Sequence, residues 1–148
     1  MPQFESRFVV DAGIEEVAEF HFRPGILKTL TPPLMVMQVH QFEPLADGSV
    51  AEFTMWMGPI PVYWKAVHSD VGPTGFTDTQ TEGPMKTWVH RHEFVAVNDQ
   101  QTEVRDTISY EHHGGIKGLW SRILFPKPAL RMLFAIRARI TRRNVESK

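Results

Sequence analysis

Two stretches of period-two alternation joined by one polar turn constrain this chain more than any other feature. Met85–Val95 and Thr102–His112 flank the turn Asn98-Asp99-Gln100. Successive residues of a strand point to opposite faces of the sheet. One face of the first strand therefore carries Trp88, His90, His92 and Phe94, and one face of the second carries Val104, Asp106, Ile108, Tyr110 and His112. The aromatic and aliphatic members mark these as core-facing sides. Two imidazoles and a carboxylate then stand on an inner surface, where polar groups are costly unless paired. Closing the hairpin with a three-residue turn sets Val97 opposite Gln101, His92 opposite Asp106, His90 opposite Ile108 and Trp88 opposite Tyr110. Directly opposed side chains have Cβ atoms ~5 Å apart, so a His92–Asp106 hydrogen bond is expected.

The remaining elements supply something for this hairpin to face. Gln3–Val10 alternates Phe4, Ser6, Phe8 and Val10 against Gln3, Glu5, Arg7 and Val9 and reads as a strand with one buried face. Asp11 reads as an N-cap for a short helix with Val17, Ala18 and Phe20-His21 at helical spacing, ended by Pro24-Gly25. A second short helix, Ile26 to Leu30, stops at Thr31-Pro32-Pro33. Strands follow at Met35–Phe42, Val50–Met57, Val62–Val71 and Phe76–Thr81, separated by Gly/Pro/Asp turns, which is the pattern of an antiparallel meander. Gly114–Gly118 reads as a flexible loop and Leu119–Phe125 as a helical turn or lid. Ala129 to about Arg143 is a long helix with Leu130, Leu133, Phe134, Arg137 and Ile140 along one stripe. Seven strands with one apolar face need a cover, and this helix needs a surface. A curved sheet around the C-terminal helix, with two short helices between strands 1 and 2, satisfies both and defines an α+β fold.

Composition narrows the chemistry. The 148 residues suit a single domain, 1–148, with one core. There is no cysteine, which excludes disulfides, thiolate nucleophiles and Cys-based zinc sites. A net charge of -1 gives no overall pull toward nucleic acid. No apolar run approaches the ~20 residues of a membrane span, and the first residues lack a signal-peptide pattern, so a cytoplasmic location is expected. Gly114-Gly115-Ile116-Lys117-Gly118 has the wrong spacing for a phosphate-binding loop. Ser69, Ser109 and Ser121 have no nucleophile context.

In this order of elements the chain resembles the helix-grip fold of the START/SRPBCC superfamily, which includes the birch-pollen-allergen and polyketide cyclase/dehydrase-like proteins. Local sequence resembles the bacterial branch at Val17-Ala18-Glu19-Phe20-His21, Leu30-Thr31-Pro32-Pro33 and Trp88–Phe94. Thr102 with Asp106 and Tyr110, Gly114–Leu119 and Leu133–Arg137 add to it. The resemblance implies a pocket for a small hydrophobic or amphipathic molecule, such as a lipid, between sheet and last helix. It also implies that some members are cyclases or aromatases.

The candidate ligand-binding residues are Trp64, His68, Trp88, His90, His92, Phe94, Asp106, Tyr110, Leu130 and Phe134. Two readings of the polar group stay open. In one, His92 and Asp106 form a self-satisfied buried pair that fixes the register or the polar end of a binding site. In the other, a cyclase, aromatase or dehydratase uses His92 or His90 as acid or base, Asp106 to orient the imidazole, and Tyr110 as donor to an oxyanion. A metal held by His90, His92, Asp106 and His68 or His112 is conceivable from an H-x-H strand. Because His92 has an expected non-metal partner, no metal or cofactor is anticipated. Trp56, Leu119 and Trp120 are candidates for the pocket mouth. Arg137, Arg139, Arg142 and Arg143 read as a solvated basic helix end. The expected partner is a small hydrophobic ligand, without nucleic acid or stable membrane insertion, bound by a monomer or homodimer.

Overall fold

The structure is a computed structural model that describes Gln3–Glu146. Met1, Pro2, Ser147 and Lys148, at the ends of the expected 1–148 domain, lie outside the described residues. Seven strands form one antiparallel sheet: β1 (Gln3–Val10), β2 (Met35–Phe42), β3 (Val50–Met57), β4 (Ile60–Gly72), β5 (Gly75–Glu82), β6 (Thr87–Asn98) and β7 (Gln101–Glu111). Their spatial order is β1-β7-β6-β5-β4-β3-β2, so β1 and β2 are the edges. Helices α1 (Ile14–His21) and α2 (Ile26–Thr29) connect the two edges. Helix α3 (Gly115–Leu124) leads into the long α4 (Lys127–Val145). The sheet curves around α4, as the two unpartnered apolar surfaces required.

Several boundaries differ from expectation for local reasons. Asp11 does not cap α1. Gly13 is the cap residue, and the Asp11 carboxylate instead accepts from Gln101 Nε2 at 2.9 Å, tying the end of β1 to the β6–β7 turn. The glycines after β7 are not a loop, because α3 begins at Gly115. Gly118 is needed there, since a Cβ would lie 1.6 Å from the His113 carbonyl oxygen. Helix α4 starts two residues earlier than expected, with Pro128 in its first turn where no amide hydrogen is required.

The central hairpin keeps the expected pairing by an unexpected route. Asn98, not Val97, pairs with Gln101, leaving the two-residue turn Asp99-Gln100. Val97 is then an extra residue bulged out of β6, and Ala96 pairs with Thr102. Bulge and shorter turn offset one another, so His92 still opposes Asp106, His90 opposes Ile108 and Trp88 opposes Tyr110. Further register shifts fall at His40 in β2 and within the β4–β5 pairing.

Two apolar clusters flank the middle of β6. Trp88 belongs to one, with Phe53, Trp64, Ile108, Leu130 and Phe134. Phe94 belongs to the other, with Val10, Val17, Phe20, Val104 and Val145. Helix α4 contributes to both. His90 and His92 lie between them, on the same face of the strand.

Candidate functional site

The polar groups at that junction come from three adjacent strands and two helices. His90 Nε2 donates to Asp106 Oδ1 at 2.8 Å. His92 Nδ1 stands 3.4 Å from the same oxygen, and His92 Nε2 donates to Asp78 Oδ2 at 2.7 Å. The expected direct His92–Asp106 hydrogen bond is thus the longer contact. Asp106 is bonded mainly to the diagonal neighbour His90, which a long side chain on the same face reaches. The two imidazoles stack, with centroids 3.7 Å apart, and Phe76 stacks on the far side of His92 at 4.2 Å.

Asp78 is the functional candidate missed in the sequence. It lies in β5 opposite His90. Its signal was the alternation Phe76, Asp78, Gln80, which puts it on the face of the buried Phe76. The backbones are close here. Gly75, with φ of 147°, has space for no side chain because a Cβ would lie 2.0 Å from the His92 carbonyl oxygen.

This packing sets the charges. Burial opposes a charge on His92, but the hydrogen bonds and fields of Asp106 and Asp78 overcome that cost and raise its pKa to about 9. Burial would also raise both carboxyl pKa values, and the imidazole partners instead hold Asp106 and Asp78 below the usual carboxylate range. His90 is pushed down by burial and by His92, against the opposing pull of Asp106. At neutral pH the group is therefore two carboxylates around an imidazolium, with a neutral His90 whose Nε2–H is fixed by Asp106. His21, from the last turn of α1, is held down to about 4 by burial, although it bonds the Val17 carbonyl oxygen at 2.8 Å.

Arg137 corrects the picture of a solvated basic end on α4. Its neighbours Arg139, Arg142 and Arg143 are exposed, but Arg137 turns inward and stands over the Phe134 ring at 5.3 Å. Its Nε is shut off from solvent and has no hydrogen-bond partner among the described residues. Burial lowers its pKa, partly offset by Asp106 and Asp78.

These groups close one end of a cavity of about 460 Å³ between the sheet, α2 and α4. Its walls are apolar, including Leu27, Met37, Met55, Trp64, Trp88 and Leu133. Of the candidates from the sequence, Trp64, His68, Trp88, His90, His92, Leu130 and Phe134 line it. Asp106 lies behind the two histidines. Phe94 does not line the cavity, because it sits in the second apolar cluster against His21 at 4.7 Å. Tyr110 is likewise packed in the core beside Trp88, at 6.2 Å, and offers no donor to the cavity. His112 lies apart from the group and meets Ser121 Oγ at 2.7 Å, bracing α3. Trp56 donates to Gln38 on the sheet surface, and Leu119 and Trp120 project from α3 without lining the cavity. Leu34 and Met132, 98% and 62% exposed, stand at the mouth instead.

The donor set that could bracket a cation is Asp78, His90 and His92, each offering one atom within 4.8 Å of the others. Asp106 would orient the rings from behind. A cation there has to displace the proton that Asp78 and Asp106 stabilise on His92.

Neither a family model nor a curated protein matches the sequence. Solved structures do. The protein CV1439 from Chromobacterium violaceum superposes with a TM-score of 0.78 at 11% identity, covering 100% of both chains. The Zhui aromatase/cyclase from Streptomyces sp. R1128 gives 0.69 at 14% identity over 96% of this chain and 94% of that one. Norcoclaurine synthase from Thalictrum flavum, solved with dopamine and hydroxybenzaldehyde, gives 0.65 at 15% identity over 99% and 89%. The chain therefore shares the helix-grip α+β fold of these structures, as its order of elements implied.

Proposed function

We propose that this protein binds a small amphipathic molecule in the cavity between sheet and α4, with the apolar body against Trp64, Trp88 and Leu130 and the polar end toward His90 and Asp78. The observation that carries this reading is the cavity itself, apolar along its length and charged at one end only. The proton inventory favours binding over turnover. His92 directs both ring nitrogens at carboxylates, and His90 is a weakened base whose other nitrogen serves Asp106. A general acid or base works best with a pKa near the working pH and a free path to the substrate. The aromatase/cyclase and norcoclaurine synthase share the fold, and a reaction of that kind here would rest on His90 Nδ1.

Decanol is a suitable probe because Trp64 and Trp88 report directly on cavity occupancy. Their fluorescence should change saturably at one equivalent per chain, and Leu130→Trp, which fills the cavity, should weaken the interaction tenfold or more. An absence of saturation across the n-alcohols from hexanol to dodecanol would remove the basis of the proposal.

A further inference from the structure

We infer that the cavity is specific for amphipathic acids, and that Arg137 is the residue that takes the carboxylate, or an equivalent oxyanion, of the bound molecule. This rests on the binding function proposed above and names the class of ligand.

Three observations point the same way. First, Arg137 lines the cavity from α4 while its Nε is buried without a partner among the described residues. An arginine carries five donors, and leaving one sealed from water forfeits a hydrogen bond that an incoming acceptor recovers. Second, the acceptors that would ordinarily quench it are committed elsewhere. Asp106 Oδ1 serves His90 and His92, and Asp78 Oδ2 serves His92. Third, the junction carries no net negative charge once the guanidinium itself is counted. Asp78 and Asp106 are matched by protonated His92 and by Arg137 itself, with His90 and His21 neutral. An anion therefore meets a charge-balanced wall with an unpartnered guanidinium Nε–H rather than an acidic one. The planar guanidinium accepts a carboxylate through two parallel hydrogen bonds, which an alcohol cannot reproduce. Leu133 and Met132, close to Arg137 on the same helix, continue the apolar wall toward the mouth, so the ionic head lies deep and the tail points outward.

The test compares two probes of equal chain length, decanoate and decanol, at pH 7, where the acid is ionised. Titrations follow tryptophan fluorescence and are checked by calorimetry. Wild-type protein should prefer decanoate at least tenfold. In Arg137→Met the preference should fall to within twofold. Arg137→Lys, which keeps the charge but loses the fork, should retain an intermediate preference. Far-UV circular dichroism and thermal midpoints identify any variant that fails to fold, and the wild-type comparison stands without variants. Equal affinity for both probes in the wild type would overturn the inference while leaving the binding function intact. An unchanged preference in Arg137→Met would do the same. Binding of neither probe would overturn both.

Discussion

Asp78→Asn gives the most direct access to the electrostatics of the junction. The substitution keeps the shape of the side chain and removes one of the two negative charges on His92. In the wild type, His92 titrates at about 9 in the folded protein, against 6.5 as its reference value. A group with a raised folded pKa adds stability that is fully present below its unfolded pKa and is lost as pH rises through the folded one. The 2.5-unit difference corresponds to about 3 kcal/mol in full, of which about 2 kcal/mol disappears between pH 7 and pH 9. Asp78 and Asp106 stay ionised across this window, and His21, His68 and His90, with lowered pKa values, are neutral in both states over most of it. The alkaline slope therefore belongs to His92. With Asp78→Asn only Asp106 supports the imidazolium. The His92 pKa should drop by about 1–2 units, and the loss between pH 7 and pH 9 should shrink to roughly half its wild-type size or less. Urea unfolding at half-unit pH steps measures the slope, and NMR titration of the imidazole C–H resonances measures the pKa. A wild-type stability that is flat from pH 7 to pH 9, or a His92 titration unmoved by the substitution, would refute the two-carboxylate account.

Other parts of the structure carry their own expectations. On the acid side, His21 is neutral when folded and titrates at about 4, so wild-type stability should fall as pH drops from 6.5 toward 4, and His21→Phe should flatten that limb in the same urea series. Phe134→Ala removes a ring that touches Phe4 at 5.3 Å and meets His90 edge-on at 5.6 Å; chemical denaturation should show a loss of about 3–5 kcal/mol. Deleting Val97 should leave stability within about 1 kcal/mol and the tryptophan response to decanol unchanged, because the flanking pairs Ala96–Thr102 and Asn98–Gln101 already define a regular hairpin without it.

The parts of the site that could be read from the sequence are those fixed by parity along one hairpin. Trp88, His90, His92 and Asp106 share a face whatever the turn does, provided the register changes by compensating steps, and the Val97 bulge supplies that compensation. Asp78 escaped because β5 joins β6 through Glu82-Gly83-Pro84, an irregular connection from which no offset can be counted. His92 keeps Asp106 as its cross-strand partner, and Asp78, its closer partner, comes from the strand on the other side. Arg137 escaped for a different reason. Three arginines follow it within six residues, so its charge read as part of a solvated end, although its position on the Leu130–Phe134 stripe already pointed inward. Helix α3 was hidden by its glycines, of which Gly118 reports a close approach to His113 rather than flexibility. The cavity is a property of the whole arrangement. Which aromatic residues line it and which, like Phe94 and Tyr110, fill the core beside it depends on the path of α4, and strand alternation carries no information about that.

The order of the sheet also bears on how copies of this protein behave when concentrated. An open sheet ends in two strands with unpaired backbone groups, and each end is a template for another molecule. The two ends are protected by different means. Along β1, Glu5 and Arg7 place charges on the rim. Along β2, Met-Val-Met-Gln-Val-His-Gln-Phe carries no Lys, Arg, Asp or Glu, and Val36 is 62% exposed. What interrupts that rim is the bulge at His40, where the pairing with β3 slips by one residue. Removing His40 should give a straight, uncharged rim eight residues long less one. Light scattering at rising concentration should then show self-association for that deletion and none for the parent chain. On this account, a local irregularity in the strand farthest from β1 protects the protein from sheet-to-sheet polymerisation.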